Sequence, residues 1–206
     1  MTRKLNRRPE QQPITYTSRK GLTYVLCRTS TPSGRTRYVF ARQPRGEILQ
    51  TLPTGFAIRE SVNGIVSLVR DRPPVFSSQE IEVVEAAVRR HPKASMYRVA
   101  ARPDHLAVYE RSGPEADDIL DILGRVMLPT ARARAQVEET LEQGAVYTPV
   151  LRFRLLQAES RTFGVERRWY SDTGDRWLPL ARTGPLRELA AQVVPLIGTD
   201  AFFELW

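Results

Sequence analysis

Cysteine and histidine are scarce in this chain of 206 residues, with one cysteine, Cys27, and two histidines, His91 and His105. A single cysteine excludes an internal disulfide, and these side chains are too few to complete a structural zinc site. No apolar run of about 18 residues occurs, and the basic N-terminus is not followed by an apolar segment of the signal-peptide type. We therefore expect a cytoplasmic, intracellular protein with no membrane partner.

Lysine is equally scarce, because the chain contains three lysines against 28 arginines. Lys93 is the one lysine beyond the first 20 residues, and no glycine-rich phosphate loop of the GxxxxGKS or GxGxxG type is present. Neither histidine has a serine or cysteine in a nucleophile-elbow context near it, and Cys27 lies in an alternating segment typical of a buried strand. The sequence predicts a protein that is not an enzyme, with no catalytic residue, cofactor, metal ligand or small-molecule substrate.

Positive charge is concentrated at the start of the chain. The first 46 residues contain eleven basic side chains and one acid, Glu10, whereas the remainder contains 20 basic and 22 acidic side chains. Such an asymmetry favours a polyanionic partner, and RNA and DNA satisfy it equally well.

Alternating apolar residues and turn signals predict an α+β protein made of two small antiparallel-sheet units. Each unit is rich in hairpins and followed by a helix, and an amphipathic helix joins the two. A capping box of Ser77 and Glu80 marks the start of the first helix. We expect four segments: a flexible, disordered basic arm (1–20), an N-terminal unit with two hairpins, a helix and a strand pair (21–112), a helical connector (113–144), and a C-terminal unit of three strands, a helix and an aromatic end (145–206).

The basic arm and the first predicted hairpin are the strongest functional signal. Guanidinium groups contact phosphates and aromatic rings stack on unpaired bases, so this combination predicts a non-catalytic nucleic-acid-binding protein, whether RNA-binding or DNA-binding. The expected binding residues are Arg3, Lys4, Arg7, Arg8, Arg19, Lys20, Arg28, Arg35, Arg37, Tyr38, Arg42 and Arg45.

Strand geometry leaves a second interpretation of the hairpin open. Because side chains alternate along a strand, Arg35 and Arg37 share one face, whereas Tyr38, Phe40 and Arg42 share the other. On this interpretation the two rings belong to the core and the arginines form a solvated face.

The alternative functional class is a protein–protein interaction module, or a subunit of a larger, possibly nucleoprotein, complex. Trp169, Tyr170 and Trp177 are its expected partner-binding residues, because clustered aromatics often mark recognition surfaces. The same residues also suit a hydrophobic core.

A metal-dependent nuclease is the third alternative, with Asp104 and Glu110 as its carboxylates. A tight hairpin separates these two acids, and no lysine follows them to orient a water molecule. A second acidic group, at Asp117, Asp118 and Asp121, is better explained as the first turn of a helix, where carboxylates complement the helix dipole.

Overall fold

The computed structural model describes residues 12–124, 130–169 and 176–205. Two compact units divide the chain, with unit 1 ending at Arg72 and unit 2 beginning at Pro73. The described residues form antiparallel sheets together with five α-helices, so the predicted α+β class is confirmed. None of the helices in this part of the chain is long and apolar enough to cross a membrane.

Unit 1 is built around one long central strand. Its strands are β1 (Thr15–Thr17), β2 (Thr23–Ser30), β3 (Thr36–Ala41), β4 (Glu47–Ile48), β5 (Phe56–Glu60) and β6 (Val66–Arg70). Strand β2 pairs with β3 along one edge and with β1 and then β4 along the other, and all the pairings are antiparallel. Strands β5 and β6 form a separate hairpin around Asn63 and Gly64. Both predicted hairpins are therefore confirmed.

The core of unit 1 is small. Leu26, Phe40 and Val66 are its buried centre, and half-buried side chains, the predicted binding residue Tyr38 among them, pack around it. Phe40 is therefore a core residue, as the second interpretation of the hairpin predicts. Burial of so few large side chains stabilises the unit only modestly, because each contributes about 1.5–3 kcal/mol before the cost of ordering the chain.

The predicted flexible arm needs a correction at its described end. Residues 15–17 form β1, paired with residues 23–25 of β2, so this stretch is ordered. The reason is that Ile14 and Tyr16 pack against the core of unit 1, while the Ile14 N–H donates to the Leu49 carbonyl at 2.9 Å. Residues 1–11 of the predicted arm lie outside the described residues.

The described residues of unit 2 form a five-stranded antiparallel sheet with the order β11-β10-β9-β8-β7. Its strands are β7 (Tyr97–Ala101), β8 (His105–Ser112), β9 (Val146–Gln157), β10 (Thr162–Trp169) and β11 (Arg176–Pro185). This differs from the predicted division at residues 112 and 145, because β8 pairs directly with β9 from opposite sides of the predicted connector. Residues 73–112 thus belong with the C-terminal strands, not with the first two hairpins.

Helices cover one face of this sheet. Helix α1 (Ser78–Arg89) begins at the predicted capping box, in which the Ser77 hydroxyl accepts from the Glu80 N–H and the Glu80 carboxylate accepts from the Ser77 N–H. Helix α4 (Leu186–Val193) and the short helix α5 (Asp200–Phe203) lie in the same layer, and their apolar side chains share the main core with the sheet. Phe202 is buried there, so the C-terminal segment docks as a short helical anchor and not as an edge strand.

Helices α2 (Ala116–Gly124) and α3 (Ala131–Gly144) lie between β8 and β9 in the chain. The hydroxyl of Thr130 caps α3 by accepting from the Ala133 N–H, and Arg134 pairs with Asp117 of α2 at 2.5 Å. The predicted connector is therefore helical, but it leads back to the same sheet. Residues 125–129 of the predicted connector lie outside the described part of the chain.

Candidate nucleic-acid interface

The charge asymmetry of the sequence follows the boundary between the two units. Residues 1–72 contain 14 basic and 4 acidic side chains, a net charge of +10, whereas residues 73–206 contain 17 basic and 19 acidic side chains, a net charge of −2. The positive charge therefore belongs to unit 1 as a whole, hairpin β5–β6 included. Such a unit attracts polyanions at long range.

Glu60 engages one of the predicted binding residues, Arg19. The Arg19 guanidinium lies 3.6 Å from the Glu60 carboxylate and donates to the Ser61 carbonyl at 2.7 Å. The Tyr16 hydroxyl donates to the same carboxylate at 3.0 Å, and this hydrogen bond raises the pKa of Tyr16 above its ordinary value. Arg19 thus helps to hold the first strand in place.

Lys20 and Arg28 are also engaged within unit 1. The Lys20 side chain passes over Gly64, so that a Cβ added to Gly64 would lie 3.1 Å from the Lys20 side chain. Arg28 donates from Nε to the Glu47 carboxylate at 2.9 Å, and both side chains remain about half exposed. An exposed pair of this kind contributes about 1 kcal/mol or less, so a phosphate can compete for the Arg28 guanidinium.

Four predicted arginines have no carboxylate partner among the residues that the structure describes. Arg35, Arg37, Arg42 and Arg45 are exposed, and their guanidinium groups form no ion pair within the part of the chain that the structure describes. Arg35 directly precedes β3 and Arg37 lies within it, whereas Arg42 and Arg45 lie in the segment that follows β3. These side chains are free to bind an external anion.

A row of two aromatic and two basic side chains runs from the first sheet to the second hairpin. Arg28 of β2 lies directly opposite Tyr38 of β3, and Phe56 of β5 lies directly opposite Arg70 of β6. The Tyr38 and Phe56 rings meet edge to face with their centroids 5.6 Å apart, and the Arg70 guanidinium lies 5.9 Å from the Phe56 centroid. We call these four residues the basic–aromatic row. Both rings are half-buried, so part of each remains accessible.

A shallow cleft of about 610 Å³ opens beside this row. Arg28 and Arg45 provide its positive charge, and hydroxyl groups come from two strands. Its lining consists of Arg28, Thr29, Ser30, Thr36, Arg45, Gly46 and Glu47. Guanidinium and hydroxyl groups are among the side-chain groups that donate hydrogen bonds to phosphate oxygens.

Half of the basic–aromatic row has no signal of its own in the sequence pattern. Phe56 and Arg70 come from the second predicted hairpin, for which the pattern indicates no function, although Arg70 lies in a segment with few acids. The local pattern around each residue is that of an ordinary strand, and only the pairing of β5 with β6 and the packing of Phe56 against Tyr38 bring them to the site. The net charge of residues 1–72 was the one available signal. Arg3, Lys4, Arg7 and Arg8 lie outside the described residues.

Trp169 and Trp177 do not form a single surface. Trp177 lies opposite Arg168, and Trp169 lies opposite Arg176, so the two indole rings extend from opposite faces of the sheet in unit 2. Trp169 is 39% exposed and stacks with Arg167 at 5.1 Å, whereas the Arg152 guanidinium lies 4.3 Å from the Trp177 ring. Tyr170 lies outside the described residues.

The carboxylates of the nuclease alternative have separate partners. The Asp104 carboxylate pairs with His105 at 2.8 Å, and the Glu110 carboxylate accepts from the Tyr97 hydroxyl at 3.1 Å. Burial and the negative charge of Glu110 raise the pKa of Tyr97 well above its ordinary value. Within residues 12–124, 130–169 and 176–205, no group of three or more His, Cys, Asp or Glu side chains is placed to hold a metal ion.

The acidic start of α2 is explained by helix capping. The Asp118 carboxylate accepts from the Glu115 N–H at 2.9 Å, and Asp117 pairs with Arg134 of α3. These contacts satisfy the first turn of the helix and join it to its neighbour.

Comparison with known proteins found no matching family model, no matching curated protein and no matching solved structure. A function therefore has to be argued from the geometry and charge of the site.

Proposed function

We propose that this protein binds nucleic acid without catalysis, and that unit 1 holds the ligand through arginine–phosphate contacts and aromatic stacking. The observation that carries this proposal is the group of four exposed arginines, Arg35, Arg37, Arg42 and Arg45, that have no carboxylate partner among the described residues. The same unit carries the basic–aromatic row, although Arg37 lies on the opposite face of β3 from Tyr38. Each planar guanidinium donates two parallel hydrogen bonds to a phosphate, and each contact releases bound counterions.

The acids of unit 1 do not neutralise this surface. Among residues 12–72 there are ten basic side chains and three acids, Glu47, Glu60 and Asp71. Glu47 already pairs with Arg28, and Glu60 with Arg19. The remaining arginines therefore keep their full charge for an external partner.

Single strands fit unit 1 better than a duplex. The Tyr38 and Phe56 rings are half-buried, and each offers an aromatic surface on which an unpaired base can stack. The described residues of unit 1 contain no helix that could enter a major groove, which is the usual element for reading duplex sequence. The proposed ligand is accordingly single-stranded RNA or DNA, bound with little sequence preference.

The test is fluorescence anisotropy of labelled oligonucleotides with the full chain, at salt concentrations between about 50 and 200 mM. We expect single-stranded RNA and DNA to bind more tightly than duplexes, with an affinity that falls steeply as salt rises. A triple variant, Arg35→Gln, Arg37→Gln and Arg42→Gln, loses up to three phosphate contacts. Its salt slope should therefore be smaller by about 2, at about 0.7 for each contact with a single strand.

The matched control removes the same charge from unit 2. Arg90, Arg132 and Arg187 are exposed, form no ion pair with any described residue, and are changed to Gln together. This control should retain the parental salt slope. No binding at the lowest salt, or equal losses in the two triple variants, would contradict the proposal, and the first result would redirect attention to a protein partner.

A further inference from the structure

The sheet of unit 2 has one face covered by helices and an opposite face rich in arginine. The covered face carries Val108, Leu151, Phe153 and Val165, which share the main core with α1 and α4. Five strand arginines, Arg98, Arg111, Arg152, Arg154 and Arg168, lie on the other face, which we call the arginine face, and Arg111 is buried there. Among the described strand residues of this sheet, Glu166 is the one carboxylate on that face. The arginine face is thus positively charged, although unit 2 as a whole has a net charge of −2.

Aromatic rings on the arginine face are paired with guanidinium groups. Arg152 lies 4.3 Å from the Trp177 ring centroid, and Arg98 lies 5.5 Å from that of Tyr147. Arg102, which directly follows β7, lies 5.6 Å from the ring of Tyr109. Each cation–π contact stabilises the ring beneath it and orients the guanidinium plane over that ring.

The carboxylates that pair with arginines of this face neutralise only part of its positive charge. Glu166 accepts from both Arg152 and Arg154, so one carboxylate is shared between two guanidinium groups. Arg154 is the more distant of the two, at 3.3 Å, and its side chain is 46% exposed. The Arg98 side chain is also exposed, at 37%, and pairs with Glu142 at 3.1 Å.

We propose that the arginine face is a second binding surface for single-stranded nucleic acid, with Arg154 on a phosphate and a base stacked at the Arg152–Trp177 pair. This inference rests on the proposed function. Charge complementarity argues for this occupant, because an excess of arginine beside the partly exposed Arg152–Trp177 pair suits a ligand with both phosphates and flat bases. The Tyr109 and Tyr147 rings are buried and serve to position their arginines.

The first experiment uses two full-length variants with a single tryptophan each. One retains Trp177 (W169F, W206F), and the other retains Trp169 (W177F, W206F), whose ring extends from the helix-covered side. Both are titrated with oligouridylate of about 12 nucleotides, the range of one single-strand binding site. We expect base stacking to quench Trp177 emission at saturation and to leave Trp169 emission unchanged. Anisotropy of the same oligonucleotide, carrying a label, reports binding by the whole chain.

The outcomes separate this inference from the proposed function. If anisotropy reports binding and Trp177 emission is unchanged, the arginine face makes no contact and this inference fails, while the proposed function stands. If anisotropy reports no binding at low salt, both fail. If Trp169 emission is quenched as strongly as that of Trp177, quenching is not specific to the arginine face, and the inference also fails.

A second measurement keeps the inference testable if the single-tryptophan chains do not fold. Arg154→Gln removes one exposed charge from the arginine face, and Arg187→Gln removes one exposed charge from α4. Arg154→Gln should lower the salt slope of oligouridylate binding by about 0.7, the value for one lost contact with a single strand. Arg187→Gln should leave that slope unchanged. Equal slopes in the two variants would overturn the inference.

Discussion

Tyr38 meets Phe56 edge to face with a distance of 5.6 Å between the ring centroids, although the two residues belong to different sheets of unit 1. This contact connects the β2–β3 hairpin to the β5–β6 hairpin. It also places Arg28 at one end of the aromatic pair and Arg70 at the other. Aromatic packing inside unit 1 therefore forms the platform on which we propose that bases stack.

Replacing either ring by leucine should weaken binding of single strands more than it weakens the fold. Tyr38→Leu and Phe56→Leu retain apolar bulk but remove the stacking surface, which is worth about 1–3 kcal/mol per base. Anisotropy gives the affinity, and thermal unfolding gives the stability of each variant. Tyr38→Phe is the control, because it retains the ring and should bind as the parent does. Parental affinity in both leucine variants would contradict the stacking role.

Gly46 should tolerate alanine less well than Gly34 does. Both have positive φ, at 100° and 77°, so alanine is strained at each position, by about 1 kcal/mol. A Cβ on Gly46 would also lie 2.5 Å from the Arg28 carbonyl oxygen, whereas a Cβ on Gly34 has no heavy atom within 4 Å. We expect Gly46→Ala to lower the free energy of unfolding clearly more than Gly34→Ala in urea denaturation. Equal losses would show that the close approach at Gly46 is not a constraint.

Arg161 combines a strained backbone with an ion pair across unit 2. Its φ is 48°, and its guanidinium donates to Glu80 from Nε at 2.8 Å and to the Val75 carbonyl at 3.2 Å. Arg161→Ala loses the pair and keeps the strain, whereas Arg161→Gly loses the pair and relieves the strain, worth about 1 kcal/mol. Urea denaturation should therefore find Arg161→Gly about 1 kcal/mol more stable than Arg161→Ala. The opposite order would contradict the account of this turn.

Glu80 should contribute stability that is lost in acid. Burial raises the pKa of Glu80, and hydrogen bonds from Arg161 and from the Ser77 N–H and hydroxyl lower it. The hydrogen bonds together outweigh burial, so the pKa of Glu80 lies below its ordinary value. A lowered folded-state pKa stabilises the protein above the unfolded-state value of about 4.5, and this contribution disappears as the pH falls through the folded-state pKa.

Glu80→Gln is the variant that isolates this effect. The difference in unfolding free energy between the parent and Glu80→Gln should be constant near neutral pH and should shrink as the pH falls below about 4.5. Urea denaturation at several pH values measures that difference. A difference that does not change with pH would mean that the Glu80 carboxylate is not stabilised by these contacts.

Local elements of this fold are predictable from sequence because their signals are local. The capping box at Ser77 and Glu80 marks the start of α1, and alternation between Leu22 and Arg42 marks the first hairpin. Pairing of β8 with β9 is not local, since helices α2 and α3 separate the two strands in the chain. Local patterns therefore predict two separate domains where the structure has one sheet.

The candidate site, like the fold, is only partly predictable from the sequence. Counting charges along the chain is sufficient to identify Arg35 and Arg37 as candidate binding residues, because no contact with a residue distant in sequence is needed to place them on the surface. The pairing of Arg28 with Glu47 depends on β2 meeting β4, and the position of Phe56 depends on how one hairpin packs against the other. Contacts between strands that are distant in sequence cannot be derived from residue patterns alone.

The most direct test of nucleic-acid binding by unit 1 is ultraviolet cross-linking of the full chain to single-stranded RNA that contains 4-thiouridine, followed by mass spectrometry of the linked peptides. The account predicts cross-linked peptides from residues 24–70, with Tyr38 or Phe56 as an attachment point, and their loss in competition with unlabelled RNA. Cross-links confined to α1 and α4 of unit 2, or unaffected by the competitor, would contradict it.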